Sequence, residues 1–224
     1  MKNIAVAIDG PSGAGKSTIA RTVAKQMGFL YVDTGAMYRT IGLYMHEHDI
    51  AGDDPVRVPE ALPQVHMELR YEKGVQKIWL DGRDVSEEIR TPIISRYASQ
   101  VSAIQPVRDF LMETQRDMAK KHSVIMDGRD IGTVILPDAQ VKIFLTASPE
   151  KRAQRRFAEL LEKGEKVTLE QVLTDMIQRD EKDEKRSSAP LKQAEDAVLV
   201  DTSDLTLEES ITAITALIQE KAGV

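Results

Sequence analysis

Ile4-Ala5-Val6-Ala7-Ile8 leads through Asp9 into Gly10-Pro11-Ser12-Gly13-Ala14-Gly15-Lys16-Ser17, and Thr18 opens the stretch behind it. The first run is apolar and β-prone and predicts a strand. Ile19, Ala20, Val23, Ala24 and Met27 recur at helical spacing and predict an amphipathic helix. The spacing G-x-x-x-x-G-K-[ST] between them is met without a gap, in the strand–loop–helix context this motif needs. Glycines let the loop turn its N–H groups into one concavity without Cβ clashes. The helix N-terminus adds partial positive charge at the same place. Lys16 is then placed to reach β- and γ-phosphates, and the Ser17 hydroxyl to ligate Mg²⁺. Gly10, Pro11, Ser12, Gly13, Ala14, Gly15, Lys16, Ser17 and Thr18 thus read as the cradle of a nucleoside triphosphate.

Outward from this loop, strand and helix signals alternate. Phe29–Val32 reads as a second strand ending in Asp33-Thr34-Gly35, and Met37, Ile41, Tyr44 and Met45 give the next helix its face. A Pro-bearing polar region, 49–63, holds at most one short helix. The period then changes to two: Val65, Met67, Leu69 and Tyr71 alternate with polar residues, as do Ile78 and Leu80 beyond Glu72-Lys73-Gly74. That is an antiparallel hairpin, foreign to a βαβ chain, so residues 60–90 are predicted to form an inserted subdomain, with Trp79 packed inside it. Helical sequence resumes from Pro92 to Lys121, broken near Gln105-Pro106, with each proline at a first helical turn. Ser123–Met126, Val141–Leu145 and Ala197–Val200 read as buried strands. Ser148-Pro149-Glu150 starts a helix that stops at Gly164. Thr168-x-x-Gln171 and Thr206-x-x-Glu209 are capping boxes opening two more. Five alternations predict a single α/β domain over 1–224: a three-layer P-loop fold with about five parallel strands, helices on both faces, the small antiparallel insert, and a helical lid region over 148–190.

Composition narrows the function. The 224 residues are 42% hydrophobic but only 4% aromatic, so the core is aliphatic. A net charge of −6 gives no support to binding of long nucleic acid, which would ask for a basic face; small anions need only a local positive site. There is no cysteine, which excludes disulfides and thiolate-bound metal. No leader and no membrane-length apolar run is present, so a cytoplasmic protein is expected. No exposed apolar helix stands out, which points to a monomer.

Several residues could carry chemistry. Asp127 ends a strand beside the phosphate loop, which reads equally as a residue able to orient Mg²⁺ or as an aspartate that simply suits the turn. Arg129 and Asp130 follow it, where ligands of open α/β sheets lie, outside the carboxyl ends of strands; taken alone, the two read slightly better as a surface ion pair. Asp-Gly-Arg-Asp occurs at 81–84 and again at 127–130, but only the second copy follows a core strand. Arg152, Arg155 and Arg156 share a helix face. They read either as a solvated face paired with Glu150 and Glu159 or as lid arginines closing over transferring phosphates, and the phosphate loop favours the second. Arg179, Asp183 and Arg186 fall at i, i+4, i+7, where helical salt bridging accounts for Arg179 and Asp183, and the helix dipole for Arg186. His46, His48, His66 and His122 have no metal-ligand spacing, and no histidine-based catalysis is expected.

Taken together, these stretches resemble the bacterial cytidylate kinases, within the nucleoside monophosphate kinase group. The resemblance runs from Ile4 to the last strand and is carried by residues 8–16, Asp33-Thr34-Gly35-Ala36-Met37-Tyr38-Arg39, residues 84–91, Asp127-Gly128-Arg129-Asp130-Ile131-Gly132-Thr133 and residues 141–145. It implies transfer of a phosphoryl group from ATP to CMP or dCMP with Mg²⁺. It implies that the 60–90 insert is a monophosphate-binding subdomain, and that Thr34, Tyr38 and Arg39 line the monophosphate pocket, with Arg129 and Arg186 on the acceptor phosphate. It further implies Asp183 on the ribose and Ser99, Arg108 and Asp130 on the cytosine. Lys16, Asp127, Arg152 and Arg156 become the catalytic set. Thr34 departs from the family's usual Ser but keeps the hydroxyl. Ser17 stands where some members have Gly, restoring a Mg²⁺ ligand. The base assignment is physically coherent, since a carboxylate accepts from cytosine N4 and a guanidinium donates to O2 or N3. Uracil would turn an oxygen toward Asp130 and be repelled. Two rivals are a kinase for another small acceptor and a nucleotide switch. Asn3 is the sole asparagine, so the Asn-Lys-x-Asp motif of guanine-nucleotide switches is absent.

Overall fold

The opening strand forms as β1 (Ala5–Asp9), and the helix behind the loop as α1 (Lys16–Met27). A computed structural model describes residues 3–72, 75–162, 164–186 and 188–223. β2 (Leu30–Asp33) and α2 (Thr34–Glu47) follow, with Asp33 capping α2 through the Ala36 amide. The polar region holds α3 (Arg57–Ala61) and a 3₁₀ turn, Leu62–Gln64. The insert is β3 (Met67–Glu72), β4 (Val75–Leu80) and the two-residue β5 (Arg83–Asp84), an antiparallel sheet in that order. It thus carries a third short strand beyond the expected hairpin; Lys73 and Gly74 of the predicted turn lie outside the described residues. A 3₁₀ turn, Glu88–Arg90, leads into α4 (Pro92–Val101) and α5 (Gln105–Lys121). Then come β6 (Val124–Gly128), a π-helical turn Ile131–Ile135, β7 (Val141–Thr146), α6 (Pro149–Glu162), α7 (Leu169–Glu184), β8 (Val198–Asp201) and α8 (Leu207–Ala222).

The main sheet is wholly parallel, in the order β2-β6-β1-β7-β8. Alternation along β1 decides its two faces. Val6 and Ile8 pack with Ile19, Val23, Ile214 and Ile218 of α1 and α8. Ala7 packs on the other side with Val32, Met126 and Ile131, against Met112 and Met118 of α5. Helices therefore cover both faces, as the alternation predicts. A separate core joins α2, α4 and α5 to the insert through Met37, Ile41, Ile78, Leu80 and Leu111. Gln76 of β4 accepts from the Asp33 amide at 2.9 Å, and the Tyr71 hydroxyl donates to the Tyr31 carbonyl at 3.2 Å. The insert is thereby docked along β2 and not merely tethered. Trp79 packs within it, stacked under Arg70 at 3.9 Å.

Both predicted capping boxes form, each with its reciprocal pair of bonds. α6 and α7 pack on each other through Ala153, Leu160, Val172 and Met176, a small core of their own over the phosphate loop. No described helix is long and apolar enough to cross a membrane.

Candidate active site

β1 ends at Asp9, and the chain must turn at once. Gly10 does so at φ +148°, where a Cβ would lie 1.9 Å from the Leu145 carbonyl oxygen, so no side chain fits between the loop and β7. The loop then curls to the N-terminus of α1. Lys16 is buried, and its ammonium donates to the Pro11 carbonyl at 2.7 Å, so the side chain folds over its own loop. Burial and the nearby Arg129 guanidinium press its pKa well below the usual lysine value, though Asp127 and Asp9 oppose them.

Three carboxylates stand at the ends of adjacent strands: Asp33 on β2, Asp127 on β6, Asp9 on β1. Asp127 accepts from the Ser17 hydroxyl at 2.8 Å and from the Tyr31 hydroxyl at 2.9 Å. Burial, then the Asp33 charge, pushes its carboxyl up. These hard oxygens from Ser17 and Asp127 fit a Mg²⁺ ion, which prefers one or two carboxylates and keeps several waters. Asp9 accepts from the Ile131 and Gly132 amides at 2.8 and 2.7 Å, while burial pushes it up to about 7. Asp33 takes Arg39 at 3.0 Å and Arg90 at 3.9 Å.

Beyond β6 the chain carries the second half of the site. The Thr34 hydroxyl donates to the Asp127 carbonyl at 2.7 Å, tying the start of α2 to the strand end. Arg129 donates to Asp183 of α7 at 3.0 Å, and Arg186 holds the other oxygen of the same carboxylate at 2.9 Å. Burial would raise the Asp183 pKa, but Arg129, Arg186 and Arg179 outweigh it and hold the carboxyl below the usual range. Arg108, 2% exposed on α5, is ion-paired with Asp130, 5% exposed. Ser99 of α4 lies on the same cleft. Tyr38 lines it too, its hydroxyl pushed up to about 12 by burial.

The cleft has a volume of about 350 Å³ and runs from Ser12–Thr18 to Arg108 and Asp130. Nine cationic side chains and five carboxylates line it, in a chain of net charge −6. The local surplus of positive charge in a partly water-excluded groove is what a polyanion requires.

Most residues singled out in the sequence meet here: Ser12, Gly13, Gly15, Lys16, Ser17, Thr18, Thr34, Tyr38, Arg39, Ser99, Arg108, Asp127, Arg129, Asp130, Arg156, Asp183 and Arg186 all line the cleft. The lid arginines do not act as one face. Only Arg156 reaches the cleft, with Glu159 beside it at 3.0 Å. Arg155 turns to the Thr202 carbonyl at 2.7 Å. Arg152 is buried against the loop, donating to the carbonyls of Ser12 and Ala147 at 3.0 and 2.9 Å and to Asp180 at 2.5 Å. In this arrangement it braces the phosphate loop and does not line the cleft. The reason is that i, i+3 and i+4 positions on this helix see three different neighbours: the phosphate loop, the Thr202 segment and the cleft.

Arg179 corrects the reading of salt bridging along α7. No ion pair holds it among the described residues; its Nε is buried without a partner, and it lines the cleft. Burial, then Arg129, lowers its pKa to about 10. Arg21, Arg90 and Tyr31 were also missed. No spacing signal marks them, because each comes from a different segment.

Fold and cleft together define a P-loop kinase: the glycine-rich loop and a cluster of arginines from distant segments line one groove. A family model for cytidylate kinase matches residues 6–220, and the chain belongs to that family. It is 49% identical over 223 residues to a cytidylate kinase of Caldicellulosiruptor saccharolyticus, covering 100% of this chain and 99% of that one. It is 48% identical to a cytidylate kinase of Thermosipho melanesiensis, over 96% of this chain and 97% of the relative. Among solved structures, an uncharacterized protein from Eubacterium ventriosum aligns over 98% of this chain and 99% of its own, at a TM-score of 0.52 and 14% identity, a likeness of fold alone.

Proposed function

We propose that this chain transfers the γ-phosphoryl group of ATP to CMP or dCMP, giving ADP and CDP or dCDP. The observation that carries the reading is the buried Arg108–Asp130 pair, which shares a cleft with the Lys16 loop. A buried carboxylate beside a buried guanidinium offers one acceptor and one donor plane, the complement of the cytosine N4 and O2/N3 edge. Such a pair would be a poor match for a hydroxy acid and a repulsive one for uracil O4.

The chemistry asks little of a base. Two anions must be brought into line and the charge on the moving group neutralised. Gly10–Thr18 would hold the donor phosphates by backbone N–H groups, with Lys16 swinging from the Pro11 carbonyl to the β- and γ-oxygens. Ser17 and Asp127 would hold Mg²⁺, which would supply neutralisation of the phosphate charge when bound. Thr34, Tyr38, Arg39, Arg129 and Arg186 would receive the acceptor phosphate, and Asp183 the ribose. Arg156, on the lid, is the side chain placed to meet the transferring group from α6. Arg152 acts on the loop, not on the phosphates.

ADP production measured with ATP and each of CMP, dCMP, UMP, AMP and shikimate tests this in one assay. CMP and dCMP are expected to give the highest kcat/KM. Equal turnover of UMP or AMP would refute the base assignment, and ADP release that ignores every acceptor would refute the kinase reading itself.

A further inference from the structure

We propose that Asp9 is a positioning residue for acceptor binding: its buried carboxylate clasps the backbone behind Asp130 and so fixes where Arg129 and Asp130 point. The inference rests on the CMP kinase reading above. It starts from an accounting of backbone groups around residues 128–135. Gly128 is held in the sheet, in register with Asp9 itself. The Asp130 carbonyl accepts from the Val134 and Ile135 amides at 2.9 and 3.2 Å. The Ile131 and Gly132 amides precede any helical acceptor and would be orphaned in a buried turn. Both go to Asp9, one to each carboxylate oxygen, at 2.8 and 2.7 Å.

The clasp accounts for both hydrogen bonds that Asp9 makes; its charge is also felt by Lys16, though the structure gives the two no direct bond. The side chain is 5% exposed, does not line the cleft, and has both oxygens engaged with backbone. Its partners are the two residues immediately after the base-reading carboxylate. Gly132 is packed close enough that a Cβ there would meet Asp9 Oδ2 at 3.4 Å and Lys142 Cδ at 3.2 Å, so the turn has little freedom to drift. On its own strand Asp9 is followed directly by Gly10, the first residue of the donor loop. One carboxylate therefore joins the strand that ends in the donor loop to the segment that carries the acceptor's guanidinium and base reader. A neutral amide cannot replace it. Asn offers one acceptor oxygen, and its NH₂ would face an amide N–H.

The test is Asp9→Asn, with Asp9→Glu as a second variant that keeps the charge one methylene longer. The KM for CMP is expected to rise about tenfold or more in Asp9→Asn, as displaced positioning groups commonly cost, while the KM for ATP stays within about twofold. The kcat/KM ratio of CMP to UMP is expected to fall as well, because Asp130 loses its fixed direction. Amide hydrogen exchange read at Ile131 and Gly132 is expected to quicken in Asp9→Asn, and this needs no activity. An equal rise in both KM values, or a rise for ATP alone, would overturn the proposal and make Asp9 a donor-loop residue. Unchanged CMP selectivity with faster exchange would overturn it too, leaving a purely structural clasp. If Asp9→Asn does not fold, Asp9→Glu decides on the same three readouts. A wild-type protein that ignores CMP would instead refute the parent reading, whatever Asp9 does to exchange.

Discussion

Asp130 and Arg108 are each other's partners in this structure, and both are buried. Burial raises the Asp130 pKa, and Arg108 then Arg186 pull it back. A cytosine edge entering here would exchange one pairing for another and leave neither group unpaired. Replacing Asp130 removes this symmetry. Asp130→Ala strands the Arg108 guanidinium without its carboxylate and withdraws the acceptor for N4. The CMP-to-UMP ratio of kcat/KM is expected to fall by about tenfold or more, the value of roughly 1–3 kcal/mol per lost base contact. A coupled assay on both acceptors measures it, and an unchanged ratio would remove Asp130 from the base site. Arg179 teaches the complementary lesson. Its i, i+4 spacing to Asp183 invites a helix salt bridge, yet Asp183 is claimed by Arg129 and Arg186. Spacing along one helix says which groups could meet, not which tertiary competitor arrives first.

At the scale of elements, what was legible was local. The phosphate loop, the two capping boxes, the prolines of α4 and α5 and the period-two insert are all decided by neighbours within a few residues. The parallel sheet followed from the alternation, since βαβ connections allow little else. The docking of elements was not legible. β5, the Gln76 bond to β2 and the burial of Arg152 depend on which surfaces meet. Arg152 shows what such a meeting is worth. It has three acceptors, the carbonyls of Ser12 and Ala147 and the Asp180 carboxylate, whereas Asp180 bonds to Arg152 alone and its Oδ1 has no partner. Removing Arg152 leaves a buried carboxylate with no hydrogen-bond partner among the described residues, with only the charge of Arg179 near it; removing Asp180 leaves a guanidinium with two carbonyls. Arg152→Ala is therefore expected to destabilise by about 3–5 kcal/mol and Asp180→Ala by distinctly less. Because the same guanidinium holds the Ser12 carbonyl, Arg152→Ala should also raise the KM for ATP. Urea denaturation of both variants gives the order, and equal losses would mean that the two carbonyl bonds contribute little.

For the molecule as a whole, the charge is distributed against its average. The chain carries −6, but the cleft collects nine cations against five carboxylates. Such a surplus of positive charge is repulsive within the groove, and Lys16 registers the repulsion in its proton affinity. Burial and then Arg129 depress its pKa well below 10.5. Phosphate oxygens at the same ammonium reverse the balance, favouring the charged form. The sign follows from linkage: a base with a lower pKa in the free protein than in the complex takes up a proton on binding, in the pH window between the two values. Nucleotide affinity is then expected to weaken as pH rises through the free-state pKa, by at most about tenfold per pH unit for one proton. Titration calorimetry of ADP without metal, in buffers of different ionisation enthalpy, reads this uptake directly. The observed enthalpy should vary with the buffer in the wild type and lose that component in Lys16→Met, where no proton can be gained at that position. A buffer-independent enthalpy in the wild type would mean that Lys16 is fully charged before the ligand arrives. The carboxylates at the strand ends, not the desolvation of the loop, would then set the charge of Lys16.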